Sequence, residues 1–221
     1  MAEKDEMLRW ELVSEEHIVK DEWIDFRKVG YRLPDGSFWS PFYTYSRRDY
    51  VVIVASDEEG KFLCVRQFRQ GIGEVTTEFP AGGIERNGET EYRDGSARAP
   101  EGGRGRAPEG DPAEEEEDAE QALDAARREL MEETGYVSNE WEHLITVPSN
   151  ATVTDNMAYV YRAKNCRRAG SQDLDETEFL NVEKKTPEEI EQLIADGKFQ
   201  QSVHIMAWLL ANRKEEYEER I

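Results

Sequence analysis

The stretch Ala125-Ala126-Arg127-Arg128-Glu129-Leu130-Met131-Glu132-Glu133-Thr134-Gly135-Tyr136 decides how this chain is read. As a helix it sets Glu129, Glu132 and Glu133 at i, i+3 and i+4, on one face. Three carboxylates that close repel one another unless a cation sits among them. Ligation by oxygen alone suits Mg²⁺ or Mn²⁺, hard ions that also bind phosphates. Taken by itself, the triplet reads equally well as a solvated acidic helix face.

The neighbouring residues separate the two readings. The run Arg128-Glu129-Leu130, then Glu132-Glu133, then Gly135-Tyr136 resembles the second half of the Nudix hydrolase signature. That signature also has a Glu eight residues before its Arg, and Glu120 stands eight before Arg128. Upstream, Glu78-Phe79-Pro80-Ala81-Gly82-Gly83-Ile84-Glu85 is similar to a segment of the ADP-ribose pyrophosphatase branch of that family. The resemblance implies a metal-dependent hydrolase with an α/β fold, an α/β/α sandwich around a mixed sheet. One departure is plain. The family separates its opening Gly from its first Glu by five residues, and here residues 83 to 119 lie between Gly82 and Glu120. That stretch mixes Gly, Pro, Arg and the run Glu114-Glu115-Glu116-Glu117-Asp118, so it has little apolar surface to offset its ordering entropy. It is expected to be a flexible insertion over about 86–119.

The resemblance also implies roles for individual residues. Glu129, Glu132 and Glu133 would hold Mg²⁺ (or Mn²⁺), joined by the backbone carbonyl of Ala81. Arg128, one turn before Glu132, would orient a ligating carboxylate. Arg69, in Val65-Arg66-Gln67-Phe68-Arg69, matches an arginine that meets substrate phosphate, and a guanidinium forks well onto two oxygens. Glu78 would hold that arginine or bind metal. Trp39 and Trp23 lie in the region that supplies stacking aromatics for a nucleotide base. The general base is expected in the acidic loop from Gly170 to Phe179, with Glu176 first and Glu178 second. The segment Pro148–Asn156 takes the place of a family loop but lacks its Pro-Gly pair, so the substrate stays open. ADP-ribose hydrolysis to AMP and ribose 5-phosphate heads the expectations. ADP-sugars or GDP-mannose are the enzymatic rivals, and a non-catalytic nucleotide-binding or regulatory module is the rival of another class.

Composition narrows the partners. The formal charge is −21, of which the Arg86–Ala119 stretch carries −6, so the rest is acidic on its own account. A long nucleic acid would need a basic stripe, which such a balance argues against. Two cysteines, Cys64 and Cys166, suggest neither a disulfide framework nor a zinc site. The start Met-Ala-Glu-Lys-Asp-Glu lacks the order of a signal peptide, and no apolar run reaches spanning length, so cytoplasm is the expectation.

Two domains are expected. Residues 1–45 carry nine aromatics from Trp10 to Tyr45 and a turn at Leu33-Pro34-Asp35-Gly36-Ser37, the pattern of antiparallel hairpins. This resembles the N-terminal sheet through which the branch forms dimers by exchange, implying a homodimer. Residues 46–221 form the catalytic domain. Val51–Ala55 and Phe62–Val65 flank a turn, and their continuous apolar character predicts strands buried on both faces. A helix from about Glu120 to Thr134 should end at Gly135. Strands follow at about 142–147, 158–163 and 177–183. Thr186-Pro187-Glu188-Glu189 reads as a capping box, Gly197 as that helix's end, and a last helix starts near Gln201.

Overall fold

The computed structural model describes residues 7–85 and 112–218, with side chains outside 112–120 and 214–218. The expected insertion therefore lies, up to residue 111, outside the described residues. Its last part is a correction to the sequence reading. The first helix, α1, spans Pro112–Thr134 and begins two turns before Glu120. Proline suits a first helical turn, where its missing N–H is no loss. The acidic run that looks disordered by composition is well placed near the positive end of a helix, and Glu and Ala are strong helix formers.

The described residues divide into two compact units. One contains β1 (Glu11–Lys20), β2 (Asp25–Arg32) and β3 (Phe38–Ser46), together with the segment Pro148–Met157. The strands form an antiparallel meander in the order β1-β2-β3. Aromatic pairs tie the strands together: Trp10 meets Phe42 at 5.4 Å, and Phe26 stacks on Tyr43 at 5.7 Å. The Arg27 guanidinium, almost fully buried, donates to Ser46 at 2.6 Å and to Asp155 at 3.2 Å. The Tyr45 amide donates to the Val153 carbonyl at 2.8 Å. The segment that lacks the family's Pro-Gly pair is thus held by buried charge and backbone pairing.

The second unit is built on a mixed sheet. Its strands are β4 (Tyr50–Asp57), β5 (Phe62–Arg69), β6 (Glu74–Glu78), β7 (Ala81–Gly83), β8 (Tyr136–Val137), β9 (Glu140–Pro148), β10 (Met157–Arg168) and β11 (Leu180–Lys185). The main path runs β11-β5-β4-β10-β8, with β6 on β5, β7 on β4 and β9 on β10. β4 lies parallel to β10 over Tyr50–Ala55, while its antiparallel contact with β5 is limited to Ser56 opposite Phe62. The turn between β4 and β5 forms as read: the Asp57 carboxylate accepts from the Glu59 and Lys61 amides, both at 2.9 Å.

Val51 to Ala55 are fully buried, which explains their unbroken apolar run. Alternate residues point to opposite faces. Val52 and Val54 join Phe62, Cys64 and Val160 in a cluster with Ile190, Phe199, Ala207, Trp208 and Ala211. The last five come from α2 (Pro187–Ala195), α3 (Ser202–Glu218) and the link between them. Phe62 and Trp208 meet edge to face at 4.8 Å. On α1, Ala122, Ala126 and Leu130 are buried. Cys64 and Cys166 are buried and unpaired with each other. No helix among the described residues is long and apolar enough to cross a membrane.

The strand expected at 177–183 starts later, at Leu180, because Glu178 closes a turn by donating its amide to the Asp175 carbonyl. The capping box forms as read. Thr186 accepts from the Glu189 amide at 3.3 Å, and the Glu189 carboxylate accepts from the Thr186 amide at 2.8 Å. Thr186→Ala should therefore destabilise the chain by about 1 kcal/mol, read as a lower urea midpoint at constant slope. An unchanged midpoint would show that the cap adds nothing here.

Candidate active site

The inner face of α1 carries Glu129 and Glu133, both nearly inaccessible, beside fully buried Leu130 and Ala126. Arg128 and Glu132 lie on the neighbouring, half-buried face. The helix stops at Gly135, which has φ of 75° and donates its amide to the Met131 carbonyl at 2.8 Å. That is the left-handed cap expected of a glycine at this position. A Cβ there would also lie 2.5 Å from the Gly170 carbonyl oxygen.

The carbonyls at the end of a helix need donors from outside it. Here the acidic loop supplies them. The Asp173 amide donates to the Glu132 carbonyl at 2.9 Å, and the Gln172 side chain donates to the Glu133 carbonyl at 2.8 Å. Ala169 and Gly170 donate to Gly135. The loop that carries Glu176 and Glu178 is thereby stitched to the helix that carries the glutamates.

Opposite α1, the link from β6 to β7 passes through Phe79 and Pro80. The Pro80 carbonyl accepts from the Ile53 amide at 2.9 Å, and the Ala81 amide donates to Glu133 Oε2 at 2.9 Å. Gly82 then lies directly under Glu129: a Cβ at Gly82 would come within 2.0 Å of the Glu129 carboxyl carbon. Arg128 spans the same gap, reaching Glu132 Oε2 at 2.6 Å, Glu129 Oε1 at 2.7 Å and the Gly83 carbonyl at 3.0 Å. Arg128 thus ties Glu129 and Glu132 to Gly83 of β7.

Arg69 and Glu78 form a forked ion pair, Nε to Oε1 at 2.8 Å and Nη2 to Oε2 at 2.9 Å. The strand register sets Glu74 opposite Arg69, so the guanidinium reaches along the strand face to Glu78. Thr76 Oγ1 also donates to Glu78 at 3.0 Å. Glu78 is fully buried, with both oxygens engaged, so it holds Arg69 and does not itself face a substrate. Arg69 keeps about a third of its side chain exposed. Thr76 went unread in the sequence, though its i, i+2 spacing from Glu78 puts both on one strand face.

The two expected bases separate. Glu178 is partly buried, and its charge raises the pKa of both Glu129 and Glu133. Glu176 lies exposed in the turn before it. Trp23 and Trp39 belong to the N-terminal unit and are 64% and 61% exposed, so neither is core. The Arg48 guanidinium lies 5.5 Å over the Trp23 ring. His204 is buried and accepts from the Phe79 amide on Nδ1 at 3.1 Å. Burial pushes its pKa down to about 4, against the pull of Glu78.

Burial pushes the Glu129 carboxyl up to about 7, opposed by Arg128 and reinforced by Glu132 and Glu178. Glu133 is raised well above its ordinary value, again chiefly by burial, with the Ala81 amide opposing. Such groups hold protons when folded that they release when unfolded, so stability falls as pH rises. For Glu129 the window runs from its ordinary 4.5 to about 7 and covers on the order of 3 kcal/mol. Urea unfolding of the metal-free chain should therefore show lower stability at pH 8 than at pH 5. Glu129→Gln should remove that part of the slope, and an unchanged slope in the variant would contradict the assignment.

Comparisons with known proteins agree with this geometry. The NUDIX domain family model matches residues 102–209. The chain is 25% identical over 183 residues to an ADP-ribose pyrophosphatase from Bacillus subtilis (strain 168), covering 82% of this chain and 81% of that protein. It is 27% identical over 158 residues to a methanol dehydrogenase activator from Bacillus methanolicus, covering 71% and 68%. A crystal structure of an ADP compounds hydrolase superposes with a TM-score of 0.71 at 16% identity, covering 96% of this chain and 97% of that one, and so shares the fold. With the glutamate helix, its glycine cap and the Gly82 cradle all in place, the chain belongs to the Nudix hydrolase family.

Proposed function

We propose that this chain hydrolyses the pyrophosphate bond of a nucleoside diphosphate linked to a sugar, with ADP-ribose as the first substrate, using Mg²⁺ or Mn²⁺. The observation that carries this reading is the pair Glu129 and Glu133, buried on the inner face of α1 against Ala81 and Gly82 of β7. Two buried carboxylates, with the Glu129 charge opposing ionisation of Glu133, are a donor set that a cation relieves. Among the described residues, no three His, Cys, Asp or Glu side chains stand together as a complete cage. Mg²⁺ fits such a site, because it is bound through one or two carboxylates with water and substrate phosphate completing its shell. Glu129 and Glu133 would hold the ion with the Ala81 carbonyl, while Glu132 is turned to Arg128. Bound there, the ion supplies charge neutralisation at the pyrophosphate and a more acidic water.

The chain's own groups supply the rest. Arg69, held in plane by Glu78, presents its exposed side to substrate phosphate. Glu178 takes the proton of the attacking water, in preference to Glu176, because its charge is the one felt at both buried glutamates. Its position is set by the loop's hydrogen bonds to the end of α1. The name of the Bacillus subtilis relative supports ADP-ribose over ADP-sugars and GDP-mannose. Exposed Trp23 and Trp39 are the platforms on which a base would stack. Every residue of β1 is exposed, including Leu12, Val13, Ile18 and Val19, which supports a homodimer through this unit. Sedimentation that reports a monomer at micromolar concentration would remove the dimer from the reading.

The test is product analysis on ADP-ribose, ADP-glucose, GDP-mannose, NADH, diadenosine polyphosphates and ATP with Mg²⁺ or Mn²⁺. AMP and ribose 5-phosphate from ADP-ribose, ahead of the other compounds, is the expected result. Faster release from another member would replace the substrate but keep the chemistry. No turnover of any of them by the folded chain would favour a regulatory role, the reading that the name of the Bacillus methanolicus relative supports.

A further inference from the structure

We propose that His204 is a positioning residue for this site: its Nδ1 pins the Phe79 amide, and with it the link that joins β6, which carries Glu78, to β7, which faces the glutamates. The proposal rests on the hydrolase reading above.

The link is two residues long. β6 ends at Glu78 and β7 begins at Ala81, so Phe79 and Pro80 lie between two strand pairings. Proline has no N–H, which leaves Phe79 as the one amide of the link itself. That amide is buried, and a buried N–H without an acceptor is costly. His204, in the first turn of α3, accepts it at 3.1 Å. An N–H can only donate, so Nδ1 must be bare and the ring proton sits on Nε2. Nε2 lies 3.9 Å from Glu78 Oε2, too long for a hydrogen bond.

The consequences lie on both sides of Phe79. The residue before it, Glu78, forks onto Arg69. Two residues after it, Ala81 donates to Glu133 and sets Gly82 under Glu129. The link is therefore fastened by His204 at one end and Glu133 at the other. Phe79 itself is wedged against Phe199 at 5.2 Å and Trp208 at 6.2 Å, with its ring nearly parallel to the imidazole. Packing fixes the ring; the hydrogen bond fixes the backbone on which the carboxylate and guanidinium depend. Nothing in this arrangement needs His204 to meet substrate, and at 4% exposure it does not.

The test compares His204→Asn with His204→Leu. Asparagine places an acceptor oxygen near the position of Nδ1, whereas leucine fills the apolar space without one. Amide hydrogen exchange of the metal-free chain should show Phe79 protected in wild type and in H204N, and exchanging at least about tenfold faster in H204L. Turnover of ADP-ribose should stay within about threefold of wild type in H204N and fall about tenfold or more in H204L, whatever their order of thermal stability. Phe79 exchange that is equally slow in H204L would overturn the proposal, as would activity that simply follows melting temperature. If the wild type itself hydrolyses nothing, the hydrolase reading fails while the exchange measurement still decides whether His204 holds the link.

Discussion

Glu133→Gln should lower turnover by on the order of 10³-fold while leaving the metal-free chain at least as stable as before. Glutamine keeps the shape of the side chain and an oxygen that accepts from the Ala81 amide, the contact seen at 2.9 Å. What it removes is the charge. That charge is disfavoured where it sits, since burial raises the Glu133 pKa well above the ordinary value. A residue kept for the fold would not be a carboxylate in that position. One kept for a cation would, because the ion offsets the desolvation that the protein alone does not. Chemical unfolding at pH 8 and initial rates at saturating substrate read the two halves of the prediction separately. A variant that keeps most of its turnover would remove Glu133 from the metal set. One that loses turnover and stability together would make it a structural residue.

The second large effect is expected from one carbon atom. Gly82→Ala places a Cβ about where the Glu129 carboxyl group now sits, 2.0 Å from its carbon and 2.2 and 2.3 Å from its oxygens. The obstructed group is the end of a flexible side chain, so the carboxyl can swing away without moving the backbone. Gly82 does not have the positive φ that would strain an alanine. Stability should therefore change by less than about 1 kcal/mol, whereas turnover should fall about 10²-fold because a ligating oxygen is misplaced. Gly71→Ala, where nothing lies within 4 Å of the added carbon, is the control and should be silent in both measurements. Equal activity in the two variants would mean that Glu129 does not work from the position seen here.

These predictions share a cause that was visible in the sequence. Glu129, Glu133 and Gly135 owe their arrangement to local geometry, a helix repeat and a left-handed cap, so spacing was enough to place them, whereas Glu132, read on the same face, turns to Arg128. The same holds for the capping box at Thr186, whose two hydrogen bonds lie within four residues. Where local and tertiary demands diverge, the sequence was a weaker guide. Glu114 to Asp118 look like a solvated run by composition, yet helix propensity and the positive end of α1 place them in its early turns. Glu78 is expected from the sequence to hold Arg69 or bind metal, but its full burial was not legible, and the fork onto Arg69 explains it. The order expected from the sequence, Glu176 before Glu178, rests on no difference in residue type. The turn at Asp175–Glu178 and the stitching of its loop to α1 bring the second into electrostatic reach of the buried pair. His204 stands beside Ile205 and Met206 in the sequence. Its acceptor role toward Phe79, 125 residues earlier in the chain, follows from the fold alone.

On the proposed function, Glu129 and Glu133 together hold a divalent cation beside Ala81 and Gly82 of β7. The most direct measurement is Mn²⁺ binding followed by electron paramagnetic resonance, on wild type and on the Glu129→Gln/Glu133→Gln double variant. The account predicts saturable binding to the wild type that weakens at least about tenfold in the double variant, whose folding is confirmed by its unfolding curve. Equal binding by both proteins would place the ion elsewhere and contradict the account.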